Sequence, residues 1–409
     1  MTTNPISLSK NVIAMLDARK DELQWEKFII GMLSKLELPE EKRAKAIKKY
    51  EDLQKHIAKK LHVDETTVHI VVQGSMKTQT TIANYGNTKF DLDIVVKLSS
   101  PKYANLRESE QFFQDFGDSL KGVDGAGDPS AKSRCWRLQY PNESFYFDVT
   151  PAIPTSHQFT GTELRVRDPE TIWNPSNPED FADWFCDIAN KRFRFQEGDA
   201  IAKSMALEDF KADPVPIEPI RIDDILRRTV QLLKLHRDNY YRGKPDERRA
   251  SMPISVILVT LAATAYDEMV TKEKQTFTSA IEVALEVADR LPNYIQYVTG
   301  MYSVMNPALP TKNGENFAER WNKDDGARRN EFHGWHAQLK KDLEALFSDE
   351  HTKKGEQNIQ NVFGDHGVKA WRAGLQATGA LGGLLGALPA EPRSNPTRPI
   401  PAGSKDQLA

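Results

Sequence analysis

The sequence predicts an α+β protein of two lobes, a mixed β-sheet lobe packed on a mainly helical C-terminal lobe. Two observations carry that expectation. Extended runs rich in β-branched and aromatic residues fall between Val68 and Val149, whereas from Asp223 onward apolar residues recur at helical spacing. Between the two textures, Asp213-Pro214-Val215-Pro216-Ile217-Glu218-Pro219 has the composition of a lobe boundary. A chain of 409 residues with 39% hydrophobic and 28% charged residues has enough apolar side chain for a substantial core.

The first 60 residues read as helical. Ile13, Leu16, Leu23, Phe28, Ile29, Leu33 and Leu36 supply apolar contacts, and Glu40 to Lys60 forms a charged helix. Its basic cluster Lys42, Arg43, Lys45, Lys48 and Lys49 reads as a solvated face, with nucleic-acid contact as the minority alternative. Strands are expected over Val68 to Val72, Phe90 to Val96, Ser133 to Tyr140 and Ser144 to Val149, with a helix over Tyr103 to Leu120. After Pro154 the chain reads as loop-rich, including Asn174-Pro175-Ser176-Asn177-Pro178, up to a helix over Asp180 to Phe193. Further helices are expected over Asp223 to Tyr241, Ile254 to Val270, Phe277 to Leu291, Trp335 to Phe347 and Gly355 to Leu375. The resulting units are residues 1–60, N-terminal helices; 61–212, the sheet lobe; 213–388, the helical lobe; and 389–409, a flexible Pro-rich tail.

Composition excludes several classes. Lys+Arg 55 against Asp+Glu 58 leaves a net charge of −3, so the chain is not held on nucleic acid by bulk charge. Two cysteines, Cys135 and Cys186, cannot make a disulfide framework and fit a reducing, cytoplasmic setting. No secretory signal is visible at the N-terminus, and the uncharged stretch Ala373 to Ala390 is too short and glycine-diluted to span a membrane. Nine histidines show no zinc-ligand spacing, and no P-loop motif is present.

The informative stretch is Gln73-Gly74-Ser75-Met76-Lys77-Thr78-Gln79-Thr80, followed by Lys89-Phe90-Asp91-Leu92-Asp93-Ile94. Side chains alternate along a strand, so Phe90, Leu92 and Ile94 face a core while Asp91 and Asp93 project together from the other face. At about 6.5–7 Å between their backbones, the two carboxylates can converge on a pair of divalent ions roughly 3.5–4 Å apart. Without a cation they repel, and one has its pKa raised. Upstream, Gly74 lets the backbone approach a ligand closely, and Ser75 at a helix start offers a phosphate cradle.

This conjunction resembles the polymerase-β-like nucleotidyltransferase superfamily, whose signature is Gly-Ser followed by Asp-x-Asp and a third carboxylate on a later strand. The resemblance points to Asp148 in Phe145-Tyr146-Phe147-Asp148-Val149; its rivals Glu143 and Asp187 sit in a turn and in a helix pattern. Within the superfamily the chain resembles the bacterial CD-NTases, relatives of cyclic GMP-AMP synthase and oligoadenylate synthase. In those enzymes a helix lysine and a serine at the start of the next helix hold the donor triphosphate; Lys234 and Ser255 match those places. Without the resemblance, Lys234 falls off the apolar stripe of Ile222, Ile225, Leu226, Thr229, Leu232, Leu233 and His236, and reads as a solvated edge residue.

The resemblance implies catalysis and metal binding by Asp91, Asp93 and Asp148, and nucleotide binding by Gln73, Gly74, Ser75, Lys234 and Ser255. It implies two Mg²⁺ ions, with Mn²⁺ as the alternative, and ATP with GTP or other NTPs as substrates. The product implied is a cyclic di- or tri-nucleotide of CBASS-type anti-phage signalling. A HORMA-type activator, or ubiquitin-like conjugation through the tail ending at Ala409, is the implied partner. The competing readings are a nucleotidyltransferase that modifies RNA or protein, and a non-catalytic nucleotide sensor. Tyr85, Tyr140 and Tyr146 are candidates for base stacking but read more simply as core.

Overall fold

The computed structural model describes residues 7–19, 22–82, 89–155, 162–195, 224–273, 276–309, 314–348 and 353–378. The expected lobe boundary at 213–219, the Pro-rich tail, most of the uncharged stretch, Ile222 and Tyr85 lie outside these residues.

Three helices lead the chain: α1 (Leu8–Arg19), α2 (Glu22–Ser34) and α3 (Glu40–Leu61). The sheet follows with β1 (Val68–Val72), the one-turn helix α4 (Gly74–Lys77), β2 (Phe90–Leu98) and α5 (Ser109–Ser119). It continues with β3 (Ser130–Ala131), β4 (Trp136–Gln139), β5 (Phe145–Pro154), β6 (Leu164–Asp168) and β7 (Ile172–Ser176). The strand order is β1-β2-β5-β4-β3, with β6 pairing the far end of β5 and β7 pairing β6. Only β2 and β5 run parallel within it, so the sheet is mixed, as expected. Phe90, Leu92, Ile94, Phe145 and Phe147 are all buried in one core with Tyr50, Leu53 and Ile57 of α3 and Phe112 and Phe116 of α5. Each such side chain contributes about 1.5–3 kcal/mol on burial. A one-residue slip would expose the whole set, so the core holds the pleat in register.

The strand ends differ from expectation where turn chemistry competes. Pro101–Tyr103 forms a separate 3₁₀ turn, which delays α5 to Ser109. The region taken as loop after Pro154 contains the β6–β7 hairpin. Pro175 lies in β7, an edge strand in which a missing N–H costs no ladder bond.

The second lobe is helical: α6 (Pro178–Ala189), β8 (Arg194–Phe195), α7 (Ile225–Arg242), α8 (Asp246–Ala250) and α9 (Ser255–Glu268). After β9 (Thr276–Phe277) come α10 (Ala280–Arg290), the small β10–β11 hairpin (Gln296–Val298, Met301–Ser303), α11 (Ala327–Ser348) and α12 (Lys353–Thr378), kinked at Gly364. The N-terminal segment divides between two cores. Leu8, Val12, Leu16, Trp25, Phe28 and Leu33 of α1 and α2 pack with α7, α9, α10 and α11, whereas α3 backs the sheet. Phe181, Phe185 and Ile188 of α6 also join the helical core.

Helix α7 runs through the middle of that core and is buried on every side from Ile225 to Arg237. This corrects the expectation of one buried stripe. Its polar groups are tolerated because they find partners. Arg228 pairs with Glu37, Trp335 Nε1 donates to His236 Nδ1 at 3.0 Å, and His236 Nε2 lies 3.0 Å from Asp342 Oδ2.

Candidate active site

The register of β2 on β5 sets Asp93 opposite Asp148 and Asp91 opposite Tyr146. Because both strands bury their other face, Asp91, Asp93 and Asp148 emerge together, and one oxygen from each lies within 4.8 Å of the others. Among the described residues this is the group of acidic, histidine or cysteine side chains placed to hold a metal ion. The expected trio is therefore assembled; Glu143 and Asp187 stand elsewhere, in a turn and on α6.

Charge in the cluster is poorly compensated. Asp148 takes a two-point contact from Arg137, Nε to Oδ1 at 2.8 Å and Nη2 to Oδ2 at 2.7 Å. The Arg137 guanidinium lies 4.0 Å over the ring of Tyr146, the residue opposite Asp91. Asp91 Oδ1 is nevertheless buried with no hydrogen-bond partner. Burial foremost, then Asp148, raises the Asp91 pKa; burial, then Asp91 and Asp148, raises that of Asp93. Three clustered carboxylate oxygens, one of them orphaned, are a donor set suited to a hard divalent cation. These residues fit the implied Mg²⁺ site.

The upward shifts have a stability consequence with a definite sign. The folded chain binds more protons than the unfolded chain above the ordinary aspartate range, so metal-free stability declines as pH rises through and beyond that range. A cation that binds the ionised cluster reverses the loss. Thermal melts with and without Mg²⁺ should therefore show a larger Mg²⁺ increment at about pH 8 than at about pH 5. An increment that is larger at the acid end would exclude the cluster as the binding site.

Gly74 opens α4 at φ +61°, and a Cβ built there would stand 2.5 Å from Asp93 Oδ2. Glycine is thus required twice, for the left-handed backbone and for the close approach of the turn to the acid. Gln73 N donates to Asp93 O at 3.1 Å, tying the turn to β2. Beneath the cluster, Tyr50 packs against Phe147 at 4.7 Å and its hydroxyl donates to Met76 Sδ at 3.1 Å. Thr81 Oγ1 donates to Ser75 Oγ at 3.2 Å, orienting that hydroxyl.

Helix α7 clamps the segment after the turn. Arg227 Nε donates to Thr78 O at 2.9 Å, Lys234 Nζ to Thr80 O at 2.8 Å and Gln231 Nε2 to Thr81 O at 3.4 Å. Lys234 is thus buried rather than at a solvated edge. Burial pulls its pKa down to about 8, with Arg237 acting the same way and Asp238, Asp93 and Asp91 opposing. Ser255 begins α9 and accepts from Arg237 Nη1 at 2.9 Å, and its neighbours Ile254 and Val256 line the same cleft as Gly74 and Asp93.

Arg137 was not legible as a site residue. Its only sequence signal is alternation with the buried Leu138; what faces it depends on the antiparallel pairing Arg137↔Asp148. Arg137→Lys removes the planar two-point contact while keeping the charge. The expected effect is a roughly 10–100-fold loss in kcat with little change in melting temperature. Unchanged kcat would show that Asp148 needs no such bracing.

Residues 26–188 match the family model described as the Second Messenger Oligonucleotide or Dinucleotide Synthetase domain. A c-di-GMP synthase of Roseivirga ehrenbergii is 30% identical over 263 residues, which span 62% of this chain and 61% of that protein, under two thirds of its length. Among solved structures, the fold is similar to the Bradyrhizobium diazoefficiens CD-NTase CdnG in complex with GTP. That match has a TM-score of 0.61 and 21% identity, over 84% of this chain and 96% of that one. It is also similar to the Vibrio cholerae cyclic AMP-GMP synthase DncV in complex with nonhydrolyzable GTP, with a TM-score of 0.50 and 16% identity, over 86% and 89% of the two chains. A shared fold is not a shared chemistry, but the family match spans the very strands that gather Asp91, Asp93 and Asp148. Over that region the chain is similar to second messenger oligonucleotide or dinucleotide synthetases, and its fold is similar to that of the bacterial CD-NTases.

Proposed function

We propose that the protein is a nucleotidyltransferase that joins NTPs into a cyclic di- or tri-nucleotide second messenger with release of pyrophosphate. The observation that carries this reading is the convergence of three carboxylates within 4.8 Å, one with an orphaned oxygen, beside a Gly-Ser turn. Asp91, Asp93 and Asp148 would hold two Mg²⁺ ions, or Mn²⁺ in their place. When bound, such ions lower the pKa of an attacking hydroxyl and neutralise charge on an in-line phosphoryl transition state.

The chain's own residues do the positioning. Gly74 keeps the backbone low enough for a triphosphate to pass close to Asp93, and Ser75 presents a hydroxyl already oriented by Thr81. Lys234 and Ser255 contribute a cation and a hydroxyl for the β- and γ-phosphates, and Gln73 flanks the turn from the β1 side. Holding the reacting groups in line in this way supplies a large part of the rate enhancement in phosphoryl transfer. Arg137 braces Asp148. The names of the Roseivirga, Bradyrhizobium and Vibrio proteins support this substrate class.

Incubation with all four ribonucleotides and Mg²⁺, followed by mass spectrometry, is expected to yield a small phosphatase-resistant product. Label retained on RNA or on protein would overturn the reading. The setting we infer is cytoplasmic anti-phage signalling, with a HORMA-type activator or tail conjugation controlling output. Among the described residues, no helix is long and apolar enough to cross a membrane.

A further inference from the structure

A cleft of about 430 Å³ is lined by Gln73, Gly74 and Asp93 and also by Asn306 and Glu315. Its volume falls in the range of small-ligand sites. Its walls mix apolar Met252, Ile254 and Phe317 with charged Arg134, Arg320 and Arg328. Ile254 lines the cleft while remaining 52% exposed, and Phe181 meets Phe317 edge-on at 5.5 Å. Aromatic and aliphatic walls with fixed polar atoms among them suit a flat, heteroatom-edged ring.

Glu315 is held rigidly. Asn306, 1% exposed, donates from its backbone N to Glu315 O at 2.8 Å and from Nδ2 to Glu315 Oε2 at 2.9 Å. Its own Oδ1 accepts from Ala308 N at 2.9 Å, so the Asn306 amide has no freedom to turn away. Among the described residues, no donor reaches the second Glu315 oxygen. Of the arginines that line the cleft, Arg134 is engaged with Asp168, Nε to Oδ2 at 3.0 Å, and Arg328 with Asp324, Nη1 to Oδ2 at 2.7 Å. Burial consequently pushes the Glu315 carboxyl up to about 7, with Asn306 and Arg134 only partly opposing. A shielded carboxylate with no paired cation is costly to keep unless a ligand supplies donors.

We propose that Glu315, braced by Asn306, reads the Watson–Crick edge of guanine on a nucleotide whose phosphates lie toward Gly74. The proposal rests on the nucleotidyltransferase reading and adds base identity to it. Guanine offers two adjacent donors, N1–H and the N2 amino group, which match the two oxygens of a carboxylate. Adenine and cytosine each set a ring-nitrogen acceptor beside their amino donor, and uracil flanks its one N–H with two carbonyls. Each of these turns a lone pair toward the carboxylate and loses at least one contact.

The test is calorimetric titration of the full chain, with Mg²⁺, using non-hydrolysable α,β-methylene GTP and ATP. The wild type is expected to prefer the guanine analogue by at least about fivefold, the lower end of what a two-point contact to a base edge provides. Glu315→Gln should erase that preference while leaving ATP-analogue affinity within about twofold, and Asn306→Ala should weaken the preference in the same direction. Equal loss of both analogues in Glu315→Gln would overturn the proposal, as would a wild type with no base preference. In both of those cases the wild type still forms product from NTPs, so the nucleotidyltransferase reading survives. A wild type that binds neither analogue and forms no product would overturn both.

Discussion

Replacing Asp91 and Asp93 together with Asn is expected to abolish product, a loss of at least about 10³-fold, and to raise the melting temperature of the metal-free chain above that of the wild type. The two effects share one cause. The acids lie close to Asp148, burial penalises their ionised forms, and Asp91 Oδ1 has no partner. Asparagine removes two charges at nearly constant volume, which relieves repulsion and desolvation but removes the ligands. Losing several kcal/mol of transition-state charge stabilisation accounts for the rate, at about 1.4 kcal/mol per factor of ten. Each kcal/mol of relief raises the melting temperature by about 2–4 °C for a sizeable domain. Labelled-nucleotide assays and thermal melts in chelator check the pair of outcomes. Retained activity, or a lower melting temperature with retained fold, would contradict the site as described.

Gly74→Ala is expected to reduce kcat by at least about 10²-fold, a cost of the size produced by a 1 Å misplacement of reacting groups. The new Cβ would stand 2.5 Å from Asp93 Oδ2, and the turn sits at φ +61°, where a side chain costs roughly 1–2 kcal/mol. Either the turn or the acid has to move. Gly122→Ala separates the two causes, because Gly122 has φ +78° with nothing within 4 Å of its Cβ position. It should lose a similar amount of stability yet keep full activity. Equal kinetic losses in both variants would mean that backbone strain, not collision with Asp93, controls the site.

How much of this was legible in the sequence depended on the range of the interactions concerned. Phe90-Asp91-Leu92-Asp93-Ile94 alternates within one strand, so its inward and outward faces follow from backbone geometry alone. The Gly-Ser turn was legible for the same reason, since a left-handed backbone at Gly74 is a local requirement. The β6–β7 hairpin was not legible. Asn174 and Pro175 carry turn chemistry, and only the edge position of β7 makes a proline acceptable there. Lys234 was misread because a helical stripe describes a helix with one wet face. In α7 that face is covered by the Thr78–Thr81 segment, whose carbonyls the helix side chains satisfy.

Local alternation and turn chemistry therefore settled the α+β architecture, the two-acid strand and the turn before it, because neighbouring residues enforce them. The distance from Asp93 to Asp148, the bracing by Arg137, the burial of Lys234 and the meeting of Glu315 with the Gly74 cleft were decided by folding. Each requires segments far apart in the chain to come into register, and that register follows from the summed packing of two cores rather than from any short stretch of residues.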